Sequence, residues 1–159
     1  MPGKAFRRGF ERTLEWVVIV LMVTLAVEVT AGVAFRYSGN ALVWYDEVAS
    51  ILLAWVTYYG AALATLKRAH ITVPEIVRML PPLWRVTVAL FAEACVFAFF
   101  ILLAWVGYSV LEVLAGDNLV SLPGVSVAWA QSVIPLSAVL FIIAEVTTLP
   151  RVLAEARRP

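Results

Sequence analysis

Cysteine and histidine each occur once in this chain, and only 14% of its residues are charged. A lone Cys95 excludes an intrachain disulfide, a cysteine-based metal cluster and dithiol chemistry. A lone His70 excludes bis-histidine haem ligation and multi-histidine metal sites built from one chain. No Gly-x-Ser-x-Gly elbow and no phosphate-binding glycine loop is present. The residues offer no cofactor-binding or catalytic set, and the reading is of a chain that is not an enzyme. Polar linkers, charge runs and fixed-period repeats are missing too, so a single domain over 1–159 is expected.

Apolar residues are what the chain has in abundance. They make up 63% of it, against about 45–50% in soluble domains. A helix needs about 20 mostly apolar residues to cross a hydrocarbon layer ~30 Å thick. Four stretches qualify, at about 16–35, 44–66, 83–114 and 125–149. They are too long and too uniformly apolar for the alternating strands of a membrane barrel. The fold class is therefore all-α integral membrane with four transmembrane helices. The breaks contain turn residues: Ser38, Gly39 and Asn40; Pro81 and Pro82; then Gly116, Asp117, Asn118, Pro123 and Gly124. Pro135 is expected to kink the fourth helix, with Gln131 and Ser132 able to bond the freed carbonyls.

Lys and Arg set the orientation. Eleven of the twelve lie at the two ends or between the second and third spans, and Arg36 alone lies in the other two connections. The positive-inside rule then places both termini and the middle loop in the cytoplasm. The first span passes a basic start and could mimic a signal peptide, but it is long and contains Glu28, which argues for an uncleaved anchor. In the middle loop, Thr72 and Glu75 have capping-box spacing and Pro74 suits a first turn. A short interfacial helix between helices 2 and 3 is expected there, with Ile76, Val77 and Leu80 toward the membrane. His70, just before it, reads as a capping or loop-anchoring residue.

Acids at membrane depth are costly, and Glu28, Glu47, Glu93, Glu112 and Glu145 are the candidates for a proton or cation relay. No basic residue lies deep in a span to complete a path, which favours helix–helix hydrogen bonding or contact with a partner protein. Arg36 is expected to pair with Asp46 or Glu47, which open the second helix where its dipole favours negative charge. Trp44 and Tyr45 fit an interfacial belt. Gly60, Ala61 and Ala64 form a small-residue seam for a close helix approach. Trp55 and Trp105 lie mid-span and point to burial against protein, and Cys95 reads as a small buried hydrophobe.

Taken in order, several of these residues resemble the small membrane subunit (DctQ type) of TRAP, or tripartite ATP-independent periplasmic, transporters. The matching residues are Phe35, Arg36 and Tyr37; Trp44, Asp46 and Glu47; Ala54 and Trp55; Gly60 to Ala62; His70 to Val73; and Leu80 with Pro81. Gly107 and Tyr108, Pro123 to Val125, and Pro135 are weaker echoes. The resemblance implies a cell inner membrane protein, paired with a large multi-span subunit that holds the solute and sodium sites. It also implies a periplasmic substrate-binding protein that delivers an organic acid. Arg36, Trp44, Asp46, Glu47, Trp55, Gly60 and His70 are then docking or structural residues. No cofactor is expected in this chain, its other surroundings are lipid, and no nucleic acid is involved. The competing expectation is a self-sufficient four-helix homodimeric exporter using Glu28.

Overall fold

The computed structural model describes residues 2–67 and 81–156. Within them lie five helices: α1 (Pro2–Tyr37), α2 (Tyr45–Lys67), α3 (Pro82–Leu114), α4 (Val127–Gln131) and α5 (Val133–Ala156). Four segments are long and apolar enough to cross a membrane: Arg7–Tyr37, Tyr45–Lys67, Trp84–Leu114 and Val127–Leu149. The expected spans are therefore present, though α1 begins well before residue 16. Hydropathy marks where lipid begins, and helix-forming residues carry the helix past that point. At ~1.5 Å per residue α1 is about 54 Å long and α3 about 50 Å, so both outrun the hydrocarbon unless tilted. The surface helix expected over 72–80, and His70 with it, lie outside the described residues.

Local chemistry sets the ends. α1 closes in a Schellman motif, with Asn40 N–H donating to Phe35 O at 3.1 Å and Gly39 N–H to Arg36 O at 3.2 Å. Gly39 has φ +80°, which a residue with a Cβ adopts only at a cost. α2 carries Asp46 and Glu47 in its first turn and Lys67 in its last, complementing the dipole at both ends. α3 starts with Pro82 after Pro81, where a missing N–H costs nothing. The last span is broken, as the proline led one to expect, but the break falls at Ser132. There Ser132 Oγ donates to Trp129 O at 2.7 Å, and Ser126 caps α4 by accepting from Ala128 N–H at 3.2 Å.

The spanning helices pack as a row: α1 on α2, α2 on α5, and α5 on α3. All four meet on the side that carries the start of α1 and the end of α5, called here the terminal side. There Leu14, Ala62, Leu66, Phe141 and Ala144 form a buried cluster, with Val96 and Phe100 packed against it. The Phe100 and Phe141 rings stack 3.6 Å apart. Gly107 lets α3 approach the break in the last span, since a Cβ there would sit 3.2 Å from both Ile134 and Pro135. Much of α1 and α3 is left facing outward, as bulky exposed residues such as Trp16, Val23, Phe91 and Phe99 show.

Several threonine hydroxyls in the spans are satisfied within their own helices. Thr24 donates to Val20 O at 2.8 Å, Thr30 to Ala26 O at 2.7 Å and Thr57 to Leu53 O at 2.8 Å. They can therefore face lipid without an open donor.

Two packing expectations, for Trp105 and Cys95, are not met within this chain. Trp105 is 74% exposed and Cys95 is exposed as well, because α3 is apolar all round and pattern alone does not say which face meets protein. Among the described residues no other helix comes within 4 Å of a Cβ built at Gly60, which leaves its small-residue face open. Within the chain the close approach on α2 is made by Ala62, Thr65 and Leu66, all buried on the opposite face.

Candidate functional site

Opposite the terminal side, the connections 38–44 and 115–126 form the loop side, and Arg36, Asp46 and Glu47 lie at the helix ends that meet it. Arg36 is exposed in the last turn of α1. It forms no ion pair with Asp46 or Glu47, contrary to expectation. Glu47 is engaged elsewhere: its carboxylate accepts from Val120 N–H at 3.1 Å and Ser121 N–H at 2.8 Å. Two convergent backbone donors satisfy both oxygens, which one mobile arginine at the surface would do less completely. The anion thereby fixes the 115–126 loop to the start of α2.

That loop has its own backbone frame. Leu119 N–H donates to Val125 O and Val127 N–H to Asp117 O, each at 2.9 Å, and Asn118 bridges Ser126. Leu119 is buried beneath it, whereas Val120 points outward. Asp46 is exposed in the first turn of α2, and its backbone carbonyl accepts from the Ser50 hydroxyl. Trp44 is partly exposed at the mouth of α2, in keeping with an interfacial position.

Tyr45 and Gly32 make the tightest contact on this side. A Cβ built on Gly32 would lie 2.0 Å from Tyr45 Cδ2, so the ring lies over the bare backbone of α1. Sequence reading assigned Gly32 no such role. Its signal is the juxtaposition of a glycine near the end of one span with an aromatic opening the next.

Trp55, expected to be buried against protein, donates its indole N–H to Ala130 O at 2.9 Å. The last carbonyls of a five-residue helix have few partners of their own, and Trp55 supplies one from α2. The ring also lies 5.0 Å from Trp129. Trp55→Phe keeps most of the packing and removes the donor, so a loss of about 1–2 kcal/mol is expected. Thermal unfolding of the variant in detergent measures it, and an unchanged midpoint would show that the bond contributes nothing net.

On the terminal side Arg7 Nη2 donates to Leu66 O at 2.8 Å, and Lys67 pairs with Glu15. These clamp the start of α1 to the end of α2. Glu145 accepts from the Thr148 hydroxyl at 3.0 Å within α5, in line with a structural role. Both Glu28 oxygens are occluded and without a hydrogen-bond partner. Glu28 lines neither the cavity at Leu21, Trp55 and Trp129 nor the groove along Val23, Thr30 and Ala34. Among the described residues no group of three His, Cys, Asp or Glu could hold a metal ion.

The loop side thus presents a tethered surface with an exposed cation and an exposed acid, above spans whose cavities are lined almost wholly by apolar side chains. A family model described as "Tripartite ATP-independent periplasmic transporters, DctQ component" matches residues 25–155. No curated protein matches the chain.

Proposed function

The chain belongs to the DctQ family of tripartite ATP-independent periplasmic transporters, and from that premise we propose that it is the small accessory subunit of a sodium-driven importer of organic acids. It braces a large multi-span subunit, which holds the solute and sodium sites, and a periplasmic binding protein supplies the solute. The match across most of the chain carries this reading. The spans support it physically, since the cavity at Leu21, Trp55 and Trp129 is apolar and the groove along α1 has only Thr30 as a polar lining residue. An organic anion crossing a membrane needs donors and cations along its way. A helix row with two largely uncovered outer members suits a brace laid against another membrane protein. The Lys and Arg distribution supports a cytoplasmic terminal side and a periplasmic loop side.

Affinity purification of the tagged chain from mild-detergent membranes of its native host, followed by mass spectrometry, tests the proposal. Stoichiometric recovery of one large many-span membrane protein is expected. Recovery of the chain alone as a homodimer would overturn it. Arg36→Glu is expected to weaken assembly or uptake while leaving the identity of the transported solute unchanged. A changed solute preference would place the solute site in this chain after all.

A further inference from the structure

The outward face of α1 changes character along its length. From Trp16 to Val27 it is apolar and open, with Trp16, Ile19, Val20, Val23 and Val27 at least half exposed. One and two turns before Trp16 stand Arg12 and Arg8, both exposed. Residues four apart share a side of a helix, so the two arginines continue the same face. The acids of this segment lie on the other side. Glu15 pairs with Lys67 at the end of α2, and Glu11 adds its attraction to the same ammonium. Arg7 is turned inward as well, donating to Leu66 O. Sorting by face thus leaves two arginines outward and the acids inward.

We propose that Arg8, Arg12 and Trp16 form a binding site for the headgroup of an anionic membrane phospholipid. The inference rests on the chain spanning a bilayer and not on its place in a transporter. Depth and charge select the ligand. Trp16 to Phe35 covers about 30 Å at ~1.5 Å per residue, the thickness of the hydrocarbon. Arg12 stands about 6 Å beyond it along α1, in the layer of the lipid phosphates. Trp16 then sits at the boundary that favours tryptophan. A guanidinium presents its N–H groups in a fork that matches phosphate oxygens, and Arg8 adds a second charge one turn farther out. A zwitterionic headgroup carries its own cation beside its phosphate, whereas phosphatidylglycerol carries none, so paired arginines favour the latter. An acidic protein surface has the same charge, but bilayer phosphates surround the chain at this depth in excess of any protein acid.

The full chain, purified in mild detergent and given equal amounts of dioleoyl phosphatidylglycerol and dioleoyl phosphatidylethanolamine, is analysed by native mass spectrometry. Phosphatidylglycerol should be retained in preference by about twentyfold. Arg8→Gln or Arg12→Gln alone should cut that preference to about fivefold, and the two together should abolish it. Arg7→Gln removes the same charge from the inward face and should leave the preference in place. Thermal unfolding shows that each variant compared is folded. No preference in the parent chain, or an equal loss in folded Arg7→Gln, would overturn the proposal, the second by showing only diffuse attraction. Displacement of the lipid by excess inorganic phosphate would also overturn it, assigning the arginines to a soluble anion. So would an unchanged preference in the double variant. If that variant instead loses a partner membrane protein on purification, the arginines belong to an acidic protein surface.

Discussion

Gly32→Ala is expected to lower the thermal midpoint of the chain by on the order of 5 °C, from an overpacking cost of about 1–3 kcal/mol. A Cβ at this position would fall 2.0 Å from Tyr45 Cδ2, 2.1 Å from Cε2 and 2.8 Å from Cγ. The contact with Cγ matters, because that end of the ring is fixed close to the backbone and cannot swing aside as a side-chain tip can. Relief would require α1 and α2 to part, or Tyr45 to leave its place at the start of α2. Repeating the substitution in a Tyr45→Ala background identifies the cause. There the added methyl has room, and the loss should largely vanish, giving a coupling energy between the two sites. An equal loss in both backgrounds would show that Gly32 accommodates something other than the Tyr45 ring. Gly39→Ala would not serve as a substitute test, since it acts through a positive φ at the end of α1.

Glu47→Ala is expected to release the 115–126 loop, raising amide exchange at Val120 and Ser121 by about tenfold or more. Their two N–H groups share one carboxylate as acceptor, and no other side chain offers them a bond. Glu47→Gln keeps one acceptor oxygen and should give a smaller rise. The order Ala above Gln above parent separates a loss of hydrogen bonding from a mere loss of charge. If both variants exchange like the parent, the backbone bonds at Leu119 and Val127 hold the loop unaided and the acid has another purpose. Hydrogen exchange followed by mass spectrometry, with peptides covering 115–126, reads all three cases.

These two contacts mark the boundary of what linear reading reaches. Four spans are legible because a bilayer demands unbroken apolar runs of a fixed length, and the chain has four of them. The first hairpin turn is legible because Gly39 can take a conformation that other residues avoid. Pro135 signals a break by removing a donor. The break settles at Ser132, where capping of α4 and the Ser132 bond to Trp129 O end the short helix. The acids at the start of α2 are legible as dipole partners, but the choice of acceptor is not. Glu47 reaches residues 73 and 74 positions away, and proximity in sequence favoured Arg36 instead.

What the sequence by itself determined is solvent: a chain this apolar must lie in lipid, as helices, with its turns where polar residues interrupt the runs. Only the tertiary structure decided which faces of those helices meet one another. In water, burial and hydrophobicity go together, and a pattern reveals the inward face. In a bilayer both the lipid-facing and the protein-facing surfaces are apolar, so pattern is silent on the choice. That is why Trp105 and Cys95 face outward, why Gly60 meets no neighbouring helix among the described residues, and why Gly32, Trp55 and Glu47 reveal their work only once α1, α2, α4 and the loop are in place. Close contact, backbone geometry and the need to satisfy each polar group settle those choices, and all three depend on positions in space.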